Sequence, residues 1–387
     1  MTSPPTVVIA GAGIGGLTAA IALAQRGFPV SIIEQAERLD AIGAGIQLSP
    51  NASRVLIELG LGERLAPSIV EPVALNVMSA RTGRVLARAP LGKAAVQRFG
   101  APYWVVHRGD LHTLLREAVE GIPSIALQLG TRVENFAVND HGVTVGEQQA
   151  HALIGADGLW SSLRGQLGHH SEPRFARHTA WRAMVPAAAV STALQAPSVN
   201  LWLGRHAHLV HYPVRGGSLI NVVAIVRDDW REAGWTAAGE RDEIVARFPA
   251  ATWHASTREL VGAAEQWQKW ALYDCPALKH WGNGPVTLLG DAAHPMLPYL
   301  AQGAAMAIED AAVLARCLAQ SPDDAPAALR NYETKRRKRT ARTQAVARRN
   351  GTVYHNGGAL RSLALMAEGG RGLLRRYDWL YRWQPDT

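Results

Sequence analysis

Cysteine is nearly absent: Cys275 and Cys317 are the only two in 387 residues. That excludes a disulfide framework and any CxxC pair, and it suits a reducing compartment. Long hydrophobic runs are missing too. No stretch reaches the roughly 18 to 20 apolar residues that a membrane helix needs, and MTSPPTVVIAGAGIGG carries no basic residue ahead of its apolar run, so it fails as a secretory signal. No His, Cys and carboxylate cluster has metal-ligand spacing. The expectation is a cytoplasmic chain with no metal. Acidic residues are outnumbered, 32 to 40, for a net charge of +8, which leans towards anionic partners. The densest basic run, TKRRKRTARTQAVARRNG (Thr334 to Gly351), lacks interleaved aromatics and any recognition module, so it is read as a solvated helix face that binds no nucleic acid.

What the chain does have is apolar bulk and glycine. With 48% hydrophobic and 19% charged residues it can bury large cores and form more than one substructure. Its 37 glycines have no collagen-like period, so they mark tight turns and close backbone approaches. TVVIAGAGIGGLTAAIALAQRGFPVSIIEQ reads as a strand (Thr6 to Ala10), a glycine turn, a helix (Gly15 to Arg26) and a second strand (Val30 to Glu34). Gly11, Gly13 and Gly16 fit GxGxxG: a tight turn, a close pyrophosphate approach and helix-to-strand packing. Glu34, about 20 residues on, stands where a carboxylate accepts hydrogen bonds from a ribose.

Two later segments repeat the design. ALIGADGLWSSLR (Ala152 to Arg164) is a strand ending at Asp157, then a helix carrying Arg164. GPVTLLGDAAHPMLPYLAQGAAMAIEDAA is a strand, Gly290-Asp291, a proline-shaped loop, then a helix from about Gly303. An aspartate at a strand end can hold a sugar hydroxyl, and the helix that follows directs N–H donors at phosphate or an electron-rich ring edge. A nicotinamide dehydrogenase needs one such cradle; three dispersed cradles suit FAD lying across several strand ends. GxGxxG occurs once, so NADH or NADPH would bind transiently, without a nucleotide fold of its own.

With GAGIQLSPNA (Gly43 to Ala52), HRGDL (His107 to Leu111) and RYDWLY (Arg376 to Tyr381) added, the chain resembles the flavin-dependent aromatic hydroxylases of the p-hydroxybenzoate hydroxylase group. It is most similar to those acting on salicylate, 3-hydroxybenzoate or 6-hydroxynicotinate. The resemblance implies bound FAD, reduction by NAD(P)H, O2 addition at the flavin C4a position and transfer of the distal oxygen to a phenolate. It implies FAD held by Gly11, Gly13, Gly16, Glu34, Gln47, Arg108, Val133 and Asp291, with Asp157 and Arg164 near the pyrophosphate and the nicotinamide path. Gly303 and Ala304 would lie under the flavin.

The expected fold is α/β: a Rossmann-like FAD-binding part (1–72, 89–176 and 273–345), an inserted, mainly antiparallel substrate sheet (73–88 and 177–272), and a C-terminal helical segment (346–387), in a monomer or homodimer. TAWRAMVPA, VNLWLGRHAHLVHYPVRG and SLINVVAIVRD alternate as strands. Tryptophans 181, 202, 230, 235, 253, 267 and 270 crowd this part, mostly as packing. In HAHLVHYPV the period of two puts His206, His208, Val210 and Tyr212 on one face. His208 is the candidate base for the substrate phenol and Tyr212 its hydrogen-bond partner, at the spacing of the 3-hydroxybenzoate and 6-hydroxynicotinate enzymes. His206 and His211 are read as packing or surface residues. Arg182 or Arg215 would receive a substrate carboxylate. Gln47 stands where the 6-hydroxynicotinate enzymes have histidine, and Pro298 where the 3-hydroxybenzoate enzymes have glutamine. Those departures put a salicylate-like acid first, with 3-hydroxybenzoate or a hydroxypyridine carboxylate as the alternative. An FAD oxidase that inserts no oxygen is the other reading.

Overall fold

VVIA, VSII, ALIG and VTL are buried along their whole length, as strands covered on both faces must be. A computed structural model describes residues 6–39, 43–169, 172–232, 234, 237–355, 372 and 374–385. Trp235 and part of the C-terminal segment lie outside the described residues. The four runs and an edge strand, Ile125–Gln128, form a parallel sheet in the order Val286–Leu288, Ala152–Gly155, Val7–Ala10, Val30–Ile33, Ile125–Gln128. All three cradles therefore start at the carboxyl ends of adjacent strands, where α/β sheets bind ligands.

The second sheet has eight strands in the order Ala237–Gly239, Trp267–Asp274, Arg174–Pro186, Leu219–Arg227, Ala207–Val214, Ser198–Leu203, Ala74–Ser79, Val85–Pro90. Every pairing is antiparallel except Ser198–Leu203 with Ala74–Ser79. One face, with Trp181, Trp202, Leu209 and Val222, packs with Ile244 and Leu260 of the short helices Arg241–Ala246 and Ala255–Ala263. The other face meets the first sheet's loops: Tyr212, Val77 and Val199 cluster with Leu300 and Met306, and Ala180, Ile225 and Trp270 with Leu297 and Tyr299. Gly45 allows this approach, since a methyl group on it would stand 2.6 Å from the Tyr212 ring and 2.8 Å from the Asn221 side chain.

Three expectations are corrected. The strand begins at Ala207, and His206 is exposed in a left-handed turn (φ 62°), so it leaves the His208 face. The helix Ala325–His355 runs unbroken through the boundary expected at 345/346, because no proline or uncovered break interrupts it. The basic run within that helix is only partly solvated. Arg336 is buried 2.6 Å from both Glu309 and Asp310, Arg339 reaches Glu309 at 2.7 Å, and Arg348 reaches Asp274 at 2.6 Å. Its charge therefore answers carboxylates that are distant in sequence.

Glu309 and Asp310 sit on the helix Gly303–Gln320, and Asp310 gathers three segments. It accepts from the Gly290 amide at 3.1 Å, His294 at 2.5 Å and Arg336 at 2.6 Å. Burial alone would raise its pKa, but His294 and Arg336 override that and hold it at about 2. Its stabilising contribution is thus complete above the ordinary carboxylate value and is lost as pH falls through about 2. Arg336→Met, which takes one cationic partner from each of two buried carboxylates, should lower unfolding free energy by roughly 3 to 5 kcal/mol in urea titrations. Asp310→Asn should flatten the acid limb of stability measured from pH 4 downwards.

Candidate active site

The glycine turn is built by exclusion. A methyl group on Gly11 would lie 2.4 Å from the Ala156 carbonyl oxygen, and one on Gly16 would lie 2.0 Å from that of Gly11. Gly13 faces open space within 4 Å, so its backbone is the one a ligand can approach. The helix it leads into, Ile14–Ala24, has no side-chain cap, leaving the positive end of its dipole for an anion. Glu34 follows the second strand and accepts from the Ala12 amide at 2.7 Å and the Ala36 amide at 2.9 Å. Its carboxylate is thereby held beside the turn.

The second cradle is more self-contained than its sequence suggests. Asp157 and Ser161 accept from the Leu163 and Arg164 amides at 3.3 and 2.9 Å, so the short helix Ser162–Gln166 directs those donors at its own side chains. Arg164 is buried and donates to the Leu159 and Ala292 carbonyls at 2.5 and 3.2 Å, which ties this cradle to the third. The Val133 carbonyl accepts from Ser162 at 3.2 Å. The second oxygen of Asp157 is buried without a partner.

In the third cradle Asp291 Oδ1 lies 3.8 Å from where a Gly303 methyl would sit. The helix from Gly303 and Ala304 also lacks a side-chain cap, because Gln302 points away to Ser49 and Asn51 at 2.8 and 3.1 Å. Ala301 takes a left-handed conformation (φ 52°) to turn the loop into this helix, a strain kept by its surroundings. Burial raises the Asp291 pKa, with His294 and then Arg108 opposing; burial lowers that of Arg108, with Asp291 opposing. An uncapped helix at each end, an approachable glycine and an unpartnered buried carboxylate oxygen fit an elongated dinucleotide.

Opposite lies one face of the eight-stranded sheet. Register aligns His208 with Ile225 and Ala180, Val210 with Val223 and Arg182, and Tyr212 with Asn221 and Met184, so His208, Arg182, Tyr212 and Asn221 share that face. Burial pushes the Tyr212 hydroxyl up, with Arg182 and then Gln47 pulling against it. Gln47 accepts from Tyr103 at 2.6 Å, which places it on this side as well. Three buried polar atoms have no protein partner: Arg182 Nε, Asn221 Nδ2 and the Tyr299 hydroxyl. The Arg182 guanidinium stacks 3.7 Å over Trp270, and burial first of all brings its pKa down to about 9. Arg215 instead is exposed and already paired with Asp110 at 2.7 Å. His211 is buried on the opposite face with Trp202 at 3.0 Å.

The chain matches the FAD binding domain family over residues 5–348. It is 38% identical over 385 residues to a 3-hydroxybenzoate 6-hydroxylase of Polaromonas naphthalenivorans (strain CJ2), covering 97% of this chain and 96% of that protein. The chain belongs to the FAD-dependent aromatic monooxygenases. It is also 35% identical over 358 residues to a 6-hydroxynicotinate 3-monooxygenase of Bordetella bronchiseptica (strain ATCC BAA-588 / NCTC 13252 / RB50), covering 90% of this chain and 92% of that one. A solved salicylate hydroxylase in complex with substrate superposes with a TM-score of 0.84 at 27% identity, covering 100% of this chain and 97% of that one.

As a monooxygenase of this family the chain has FAD for its cofactor. Sequence reasoning missed Tyr299, Asn221, His178 and His355, which line or support the same face. Nothing local marks them: Tyr299 sits in a proline loop, and His355 lies 147 residues from His208, its partner at 2.8 Å. Asp291→Ala should lower FAD affinity by about 10- to 100-fold, the equivalent of a charge-assisted hydrogen bond of roughly 1.5 to 3 kcal/mol. Flavin absorbance retained after ultrafiltration measures it, and unchanged retention would remove Asp291 from the cofactor's contacts.

Proposed function

We propose that this monooxygenase hydroxylates a phenolic ring carboxylate of the 3-hydroxybenzoate kind, with NADH or NADPH and O2 as co-substrates. The observation that carries the reading is Arg182: a half-buried cation whose Nε is enclosed, with no acidic partner among the described residues, on the same sheet face as His208 and Tyr212. An aromatic acid supplies the missing carboxylate. The sequence relatives favour 3-hydroxybenzoate or a hydroxypyridine carboxylate over the salicylate-like acid put first from sequence. Pro298 in place of glutamine is then a local departure within the same substrate class.

The chemistry FAD supplies when bound is activation of O2 with electrons from the nicotinamide. The protein's own groups prepare the ring. Arg182 fixes the carboxylate, and its stacking on Trp270 limits where the guanidinium can move. His208 accepts the phenolic proton, which makes the ring electron-rich before oxygen transfer. Tyr212, whose hydroxyl burial keeps protonated, donates a hydrogen bond to the developing phenolate. The uncapped N-terminus at Gly303 and Ala304 favours negative charge beside it.

The test is stimulation of NADH and NADPH oxidation by 3-hydroxybenzoate, salicylate and 6-hydroxynicotinate, with dihydroxylated product counted against reductant consumed. Matched product supports a hydroxylase; peroxide alone from every acid would favour the oxidase reading. Arg182→Met should raise KM for the acid by about 10- to 100-fold, the loss of a charged hydrogen bond, and remove preference for the acid over its carboxamide. His208→Ala should cut hydroxylation by roughly 10²- to 10⁴-fold with FAD retained and peroxide replacing product, and Tyr212→Phe should show a milder form.

A further inference from the structure

We propose that His355 and His178 act as positioning residues for His208, forming with it a three-ring proton chain that fixes its tautomer and carries the phenolic proton away. This rests on the function proposed above. The assignment follows from the far end of the chain. His178 Nδ1 lies 2.8 Å from the Ala176 carbonyl oxygen, which can only accept, so Nδ1 carries the hydrogen. Burial first of all, reinforced by Arg227 and opposed by the Ala176 carbonyl, favours neutral His178, so its Nε2 carries the lone pair. His355 Nδ1, 2.7 Å away, must therefore donate to it. In a neutral ring that leaves the His355 Nε2 lone pair to accept from His208 Nδ1 at 2.8 Å. The basic nitrogen of His208 is then Nε2.

The three histidines come from two strands that flank a common neighbour and from the last turn of the helix Ala325–His355. Tyr299 packs against all of them, with ring centroids 5.6 Å from His208, 5.7 Å from His355 and 6.0 Å from His178. Gly351 makes room for it, since a methyl group there would stand 2.6 Å from the Tyr299 ring. Tyr354 lies 5.3 Å from His208. Among the described residues, the ionisable groups that face the rings include these two tyrosines and, beside His178, Arg227. His208 and His355 are buried, whereas His178 is half-buried, so the chain runs outward.

When the phenol ionises, its O–H bond breaks and His208 Nε2–H forms. The Nδ1 proton of His208 passes to His355 Nε2, and that of His355 Nδ1 passes to His178 Nε2. The positive charge then rests on the outermost ring, away from the phenolate. The reverse hops deliver the proton to the product oxygen and restore the starting tautomers, while the ring C–H proton displaced on hydroxylation leaves with the second oxygen atom of O2 as water.

The test uses the FAD-loaded enzyme in two measurements. Nitrogen-15 resonances of labelled histidine read the tautomers without substrate: His208 protonated at Nδ1 is expected, and His208 protonated at Nε2 overturns the assignment. The second follows the phenolate absorbance of bound 3-hydroxybenzoate against pH. His355→Gln can accept from His208 and donate to His178, so it preserves the tautomer but cannot pass a proton. It should ionise the bound phenol with an apparent pKa about one unit higher and turn over about 10-fold more slowly, with KM unchanged. His355→Leu, which loses both roles, should fall about 100-fold. His206→Gln, outside the chain, should match the wild type. Wild-type phenolate formation and coupling in His355→Gln would overturn the relay and leave the proposed function standing. Absence of phenol ionisation by the wild type would overturn both, while the histidine resonances still report the tautomers independently.

Discussion

Asp310 ties three distant segments of the fold together. Its two oxygens bind the amide of Gly290, the ring of His294 and the guanidinium of Arg336. The first two belong to the loop that carries Asp291, the third to the long C-terminal helix, and Asp310 itself lies two turns into the helix that begins at Gly303. A buried carboxylate is unfavourable in isolation; here it is compensated by three donors that cannot all be reached unless loop and helices are in place. Glu309 repeats the arrangement one residue earlier, joining Arg336 and Arg339 to Asn51 at 2.6 Å. Cofactor loop and helix frame are therefore specified by one polar node, while the apolar contacts around it supply bulk stabilisation without direction.

On the substrate side the corresponding constraint is strand register. Because side chains alternate, a slip of one residue in the strand Ala207–Val214 would carry His208 and Tyr212 together to the face opposite Arg182. His211, which is buried on that opposite face with Trp181 and Trp202, resists such a slip, since it would drive its ring into the crowded boundary with the cofactor sheet. The tryptophan-rich layer is thus distant from the chemistry yet determines which side chains reach it.

The sequence made the cofactor half legible because its signals are local. Gly11, Gly13, Gly16 and Glu34 lie in one strand–helix–strand unit, where methyl groups on Gly11 and Gly16 would meet backbone and Gly13 faces open space. The expectation of two sheets, one parallel and one mainly antiparallel, was legible for the same reason: fully apolar runs against alternating ones. The second cradle read less well, since whether Asp157 and Ser161 turn their oxygens outward or cap their own helix depends on rotamers that spacing does not specify. The basic run was misread more fully. Arg336 and Lys338 look alike in sequence, and only the carboxylates of a helix some 26 residues earlier decide which is buried. That Arg215 is already paired was likewise hidden, because its partner Asp110 lies 105 residues away.

That misreading bears on how the two halves are coupled. The helix Ala325–His355 carries Arg336 at the Asp310 node and His355 at the histidine chain, 19 positions apart, or roughly 28 Å at 1.5 Å per residue. Between them Gln344 donates to the Pro295 carbonyl at 2.8 Å and Asn350 to the Tyr299 carbonyl at 3.2 Å, so the proline loop is fastened along the rod. Arg348 adds a tie to Asp274 at the end of a substrate-sheet strand. A single uninterrupted helix thus sets the position of the loop beside the cofactor and of the rings behind His208 in one frame. A break in this helix would uncouple the position of that loop from the position of those rings. The strong positive charge of the segment follows from that role, because several of its arginines are the fasteners.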